Sequence, residues 1–139
     1  MKRVKRMYPI ARIADSGAVV VAGSDWNVSS VNPLEAIEVA LLRQDWIGND
    51  QLASESLNRL PILNRAERVD LETMLLAYTS NGAWGMHQDE TTGRLMVGMA
   101  ADIVVFSEDL FTTPVQRISS VKVERTYIDG ELVYSTSDD

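Results

Sequence analysis

The chain has no cysteine, a single histidine and four prolines in 139 residues, and only 6% of it is aromatic. Without cysteine there is no disulfide framework, no thiolate metal site and no thiol nucleophile. One imidazole cannot supply the two or more histidines that many zinc and iron hydrolase centres use. Basic side chains are the minority, 13 against 20 acidic, for a formal charge of −7. That balance repels phosphate backbones and anionic lipid. The local exception, Lys2-Arg3 with Lys5-Arg6, reads as the flank of a helix rather than as a nucleic-acid contact. No apolar run reaches the roughly 18 residues of a membrane span. The run Met7-Tyr8-Pro9-Ile10-Ala11 meets Arg12 and Asp15 at once, so no signal-peptide core is expected. These absences predict a cytoplasmic protein with neither nucleic-acid nor membrane partners.

What is present is enough for a core: 45% of the residues are hydrophobic and 24% charged, at a length where most apolar surface can be buried. Pro9, the Ile10/Ile13 spacing and Gly17 predict a short helix over 8–16. Residues 18–22, Ala-Val-Val-Val-Ala between two glycines, predict a strand buried on both faces, as in parallel α/β sheets. Asn32, Pro33 and Glu35 are a helix start, and Leu34, Ile37, Leu41 and Leu42 share one face, giving a helix over 33–45. Residues 46–66 lack periodicity and read as a long excursion with at most a helical turn over 54–60. Asp70 caps a helix running to residue 79.

A further helical turn is expected over 83–86. From Gly93 the period changes to two, with strands expected over 94–97 and 102–106 and a helical turn over 115–118. Asp129-Gly130 between apolar runs predicts a β-hairpin over 121–134. The Ser/Asp-rich end over 135–139 reads as frayed.

Asp25 follows directly on residues 18–22, at the strand end where catalytic groups of α/β barrels sit. A carboxylate there can bind a metal or accept a proton from water; it can equally cap a turn. Trp26 can line a substrate pocket or pack in the core. His87 follows a helical turn rather than a strand end and reads as a surface residue. Ser24, Ser29 and Ser30 have no histidine base at a recognisable spacing. Asp102, ahead of a strand, reads as a turn or hydrogen-bonding residue.

The segment Gly17-Ala18-Val19-Val20-Val21-Ala22-Gly23-Ser24-Asp25-Trp26 resembles the eighth-strand region of the amidohydrolase superfamily, in its third family, the N-substituted formamide deformylase-like hydrolases. Asn27 stands where that pattern usually has proline. Gly93-Arg94-Leu95-Met96-Val97-Gly98-Met99-Ala100-Ala101-Asp102 resembles the family's carboxyl-terminal signature, with Met99 where lysine is common. Asp70-Leu71-Glu72, Asn81-Gly82-Ala83 and the Tyr127 to Tyr134 hairpin also match, in order.

The resemblance implies an α/β fold: the terminal strand and helices of a TIM-type barrel over 1–88, then the carboxyl-terminal strands of a β-sandwich over 89–139. It also implies that Asp25 is the catalytic and metal-binding carboxylate for a divalent zinc or iron ion in a complete enzyme, acting on a small-molecule amide-type substrate. The family's His-x-His pair and its other strand-end ligands have no counterpart here. The chain is therefore expected to be a carboxyl-terminal portion, inactive and without stoichiometric metal alone. Its expected partners are a second copy or a missing amino-terminal portion. The alternative is a non-catalytic α/β interaction module derived from that family.

Overall fold

A computed structural model describes residues 3–44 and 61–136. Among the described residues four α-helices, α1 (Ile10–Asp15), α2 (Pro33–Leu42), α3 (Leu71–Tyr78) and α4 (Ser80–Gly85), precede three strands, β1 (Ile103–Phe106), β2 (Val123–Ile128) and β3 (Glu131–Ser135). Short 3₁₀ helices occupy Val4–Arg6, Arg65–Glu67 and Val115–Ser120. The molecule is mixed α/β, as expected.

The two main helices begin where their sequences direct. The Asn32 side chain accepts the Leu34 N–H at 3.0 Å, with Pro33 in the first turn, and the Asp70 side chain accepts the Thr73 N–H at 2.8 Å. Each cap satisfies an N–H that has no partner inside its helix. Helix α2 stops at Leu42 rather than residue 45, because Arg43 turns left-handed (φ 57°) and still donates its N–H to the Val39 carbonyl at 2.7 Å. Arginines take up the carbonyls that follow. Arg68 Nε donates to Leu42 O at 2.9 Å, and buried Arg43 donates to Leu63 O and Met7 O with Tyr8 beneath its guanidinium.

Helix α2 is the centre of the core. Leu34, Ile37, Ala40 and Leu41 pack with Met74 of α3 and with Leu110, Ile118 and Val121 near the 3₁₀ helix Val115–Ser120. Inside that contact the buried Glu38 accepts the Ser119 N–H at 2.9 Å. The sheet is antiparallel in the order β1-β2-β3, with irregularities in register at Val105/Phe106 and Thr126/Tyr127. Asp129 (φ 50°) and Gly130 (φ 83°) form the positive-φ turn of the β2–β3 hairpin, as expected.

Several expectations need correction. Residues 18–22 are not part of a sheet among the described residues, and Val19 and Val21 are half-exposed, 47% and 48%. Two hydrogen bonds anchor the segment, Ala22 N–H to Ala77 O at 3.1 Å and Asn81 Nδ2 to Val20 O at 3.0 Å. Apolarity marked a segment that can be buried, while pairing requires a neighbouring strand.

Residues 94–97 form bends and a turn, with Leu95, Met96 and Val97 exposed. Short alternation there belongs to a loop whose Met96 carbonyl accepts the Met99 N–H at 3.1 Å, a local turn rather than a strand pairing. Residues 102–106 give a strand only over β1, half-buried rather than buried on both faces, with Val104 exposed, because an antiparallel sheet can leave one face to solvent. The helical turn expected over 54–60 lies outside the described residues, as do residues 137–139 of the frayed end expected over 135–139; Ser135 is instead the last residue of β3, paired with Arg125.

Among the described residues Ile37 and Ile118 are the two largest fully buried side chains, 2% and 1% exposed. Replacing either by alanine should cost about 2–5 kcal/mol in urea unfolding. Val97→Ala, at a fully exposed site, should stay within about 0.5 kcal/mol. Equal effects at the three positions would contradict the assigned core.

Candidate functional site

From Gly23 the chain leaves residues 18–22 and folds back on itself before α2. Asp25 takes a left-handed conformation (φ 50°), and its carbonyl accepts the Val28 N–H at 2.7 Å. The Ser29 hydroxyl donates to the Ser24 carbonyl, and Asn32 N–H donates to Ser30 Oγ at 3.2 Å. This loop holds its shape by one backbone bond and two serine-hydroxyl bonds of its own, and leaves the Asp25 side chain exposed. Trp26 beside it is 70% exposed. His87 is also on the surface.

An open cavity of about 800 Å³ lies next to this loop, between residues 19–23 and α2. Val19, Val21, Ala36 and Val39 line it, with Ser29, Ser30 and Asn32 at one end. Glu35 and Arg43 also line it; Glu35 and Val39, four apart, share one face of α2, and Arg43 follows four residues later, just past the helix end. Neither Asp25 nor Trp26 is in its wall. Sequence reasoning missed this cavity, although the Glu35, Val39, Arg43 spacing of four was legible as one face. Among the described residues, no three His, Cys, Asp or Glu side chains are grouped to hold a metal ion. No helix there is long and apolar enough to cross a membrane.

The sequence profile of the amidohydrolase family matches residues 1–134. The chain belongs to that family. It is 26% identical over 135 residues to YtcJ of Bacillus subtilis (strain 168), whose name describes it as an amidohydrolase, covering 97% of this chain and 24% of YtcJ. It is 25% identical over 129 residues to the N-substituted formamide deformylase of Arthrobacter pascens, covering 93% of this chain and 22% of that protein. The crystal structure of an amidohydrolase from Thermotoga maritima MSB8 superposes with a TM-score of 0.57 at 25% identity, over 91% of this chain and 25% of that one. The chain thus spans about a quarter of the length of the relatives it matches.

Within this chain of the amidohydrolase family, several motif residues prove to be fasteners. Asn81 holds the Val20 carbonyl, as described above. Gly93 (φ 89°) packs so tightly on α4 that a Cβ there would stand 2.6 Å from that of Ala83. No L side chain fits such a contact in that backbone conformation. Asp102 accepts the Thr92 hydroxyl at 2.8 Å and the Asp129 N–H at 2.9 Å, while Gly130 N–H donates to Ala101 O at 3.0 Å. It ties the hairpin turn to the segment entering β1, the hydrogen-bonding role expected of it. At the amino-terminal end, Arg12 donates its N–H and its guanidinium to the buried Glu67.

The Asp129 N–H and the Thr92 hydroxyl hold the Asp102 carboxyl below its ordinary 3.8 against a smaller opposing effect of desolvation. Burial pushes Glu67 upward, and the bonds from Arg12 together outweigh it, leaving a net value below 4.5. A carboxyl whose folded pKa is depressed stabilises fully above its unfolded value, and that stabilisation is lost as pH falls through the folded one. Thermal stability should therefore be flat near pH 6 and fall below about pH 4.5. The double variant Glu67→Gln/Asp102→Asn should be less stable at pH 6 and show a shallower acid fall. An unchanged acid slope would show that these two carboxylates do not govern it.

Proposed function

We propose that this amidohydrolase chain is the carboxyl-terminal portion of a metal-dependent enzyme that hydrolyses carbon-nitrogen bonds in non-peptide amides, and that Asp25 is its catalytic carboxylate. The observation that carries the reading is the family match over residues 1–134, with Gly23-Ser24-Asp25 on the loop between residues 18–22 and α2. The name of the Arthrobacter relative, an N-substituted formamide deformylase, supports the substrate class. On this reading residues 1–88 close a TIM-type barrel and residues 89–139 complete a β-sandwich. Residues 18–22 are then paired by an amino-terminal portion or by a second copy, in the cytoplasm.

The described residues by themselves do not fit a catalytic zinc site, which takes three protein ligands. Asp25 offers one carboxylate, and zinc or iron in the complete enzyme needs ligands from elsewhere. The chemistry assigned to this chain is accordingly proton transfer at Asp25. Its carboxylate accepts a proton from water as the water oxygen bonds to the amide carbon. The carbon-nitrogen bond then breaks as that proton passes to the leaving nitrogen, giving a carboxylic acid and an amine. Trp26, beside Asp25 and open to solvent, offers an apolar wall for the substrate.

In the longer gene product that contains this chain, Asp25→Asn should lower kcat/KM on an N-alkyl formamide by about 10²–10⁴-fold with an unchanged circular dichroism spectrum. Full activity would sink the assignment. The chain by itself should retain well under one zinc or iron per molecule after dialysis, measured by elemental analysis. One tightly held ion that Asp25→Asn abolishes would mean that ligands lie in this chain after all.

A further inference from the structure

The cavity between residues 19–23 and α2 contains a polar group that the hydrolase reading does not use. Glu35 Oε1 accepts from Asn32 Nδ2 at 3.4 Å, but Glu35 Oε2 is buried without a hydrogen-bond partner among the described residues. A buried acceptor left unmade calls for an explanation. The cavity it lines has an aliphatic portion, Val19, Val21, Ala36 and Val39, and a polar one, Ser29, Ser30 and Asn32. Arg43, just past the carboxyl end of α2 and eight residues after Glu35, lines the same cavity at the other end of the helix. Its guanidinium does not answer Glu35, because it donates to the carbonyls of Leu63 and Met7. The volume, about 800 Å³, lies within the range of small-molecule sites.

We propose that this cavity binds a primary alkylammonium ion, its nitrogen donating to Glu35 Oε2 and its apolar body lying along Val39 and Val21. The α2 amino terminus places roughly half a positive charge near Glu35, against a full negative charge on the carboxylate, so a cation is still attracted. The molecule's formal charge of −7 acts in the same direction. Arg43 disfavours a cationic head at the far end, which fixes the orientation. A neutral alcohol of equal length would gain the aliphatic contacts but a weaker hydrogen bond, since bonds to charged partners exceed neutral ones. The site does not involve Asp25 and stands independently of the reaction proposed above.

The test uses the full 139-residue chain with n-hexylammonium and n-hexanol, followed by amide chemical shifts in 0.15 M salt. Hexylammonium should shift resonances of residues 19–22 and 35–39 saturably, and hexanol should bind about tenfold more weakly. Glu35→Gln, which keeps the side-chain shape and the contact with Asn32, should remove that preference. Equal affinity for the two probes overturns the proposal. So does saturation without shifts at Glu35 and Val39, which would be adsorption to the acidic surface. Absence of saturable binding also overturns it, whether a hydrated Glu35 or a second copy of the chain filling the cavity is the cause. If Glu35→Gln fails to fold, the comparison of the two probes on the unmodified chain decides alone.

Discussion

The contact between α2 and the 3₁₀ helix Val115–Ser120 joins parts of the chain about eighty residues apart, and the rest of the structure is arranged around it. Its apolar component is Ile37 and Leu41 against Ile118 and Val121. Its polar component is the Glu38 carboxylate on the Ser119 N–H. Burying a carboxylate among aliphatic side chains is costly unless a donor meets it. The bond therefore fixes which rotation of α2 faces the 3₁₀ helix, since any other would bury Glu38 unpaired. With that rotation set, the opposite face of α2, Glu35, Val39 and Arg43, is turned toward residues 19–23.

A consequence is that α2 is covered on one side and faces a cavity on the other. Residues 18–22 are held on the far side of that cavity by bonds to the other helices: Ala22 N–H donates to Ala77 O of α3, and Asn81 of α4 donates to Val20 O. Their half-exposed valines carry less burial than a sheet would give them. The loop bearing Asp25 is consequently shaped by its own turn bonds at one end and by the Asn32 cap of α2 at the other. Its geometry is set locally, and the Asp25 side chain is exposed.

Much of the local structure was legible in the sequence because its signals are local. Asn32-Pro33 and Asp70 mark helix starts through bonds spanning two or three residues. Asp129-Gly130 marks a turn through the backbone freedom of those two residues. The failures share a different cause. Residues 18–22 and 94–97 have strand-like composition, but a strand exists only when another backbone lies at hydrogen-bonding distance. The left-handed stop at Arg43 was hidden for a similar reason. It depends on carbonyls at Met7 and Leu63 that come near only in the folded chain.

The family signature was legible for yet another reason, and this bears on what a motif can tell about function. Gly93, Asn81 and Asp102 are each demanded by a contact: a missing Cβ against Ala83, an amide on the Val20 carbonyl, a carboxylate clamping a turn. Such roles tolerate few substitutes, so they leave a clear pattern without performing chemistry. Asp25 belongs to the same ordered pattern but has no comparable structural duty, since its backbone carbonyl makes the turn bond while its side chain is exposed. A carboxylate that the fold does not need, placed on the loop between an extended segment and the helix at the centre of the core, is where a reaction can be supported without disturbing the packing beneath it.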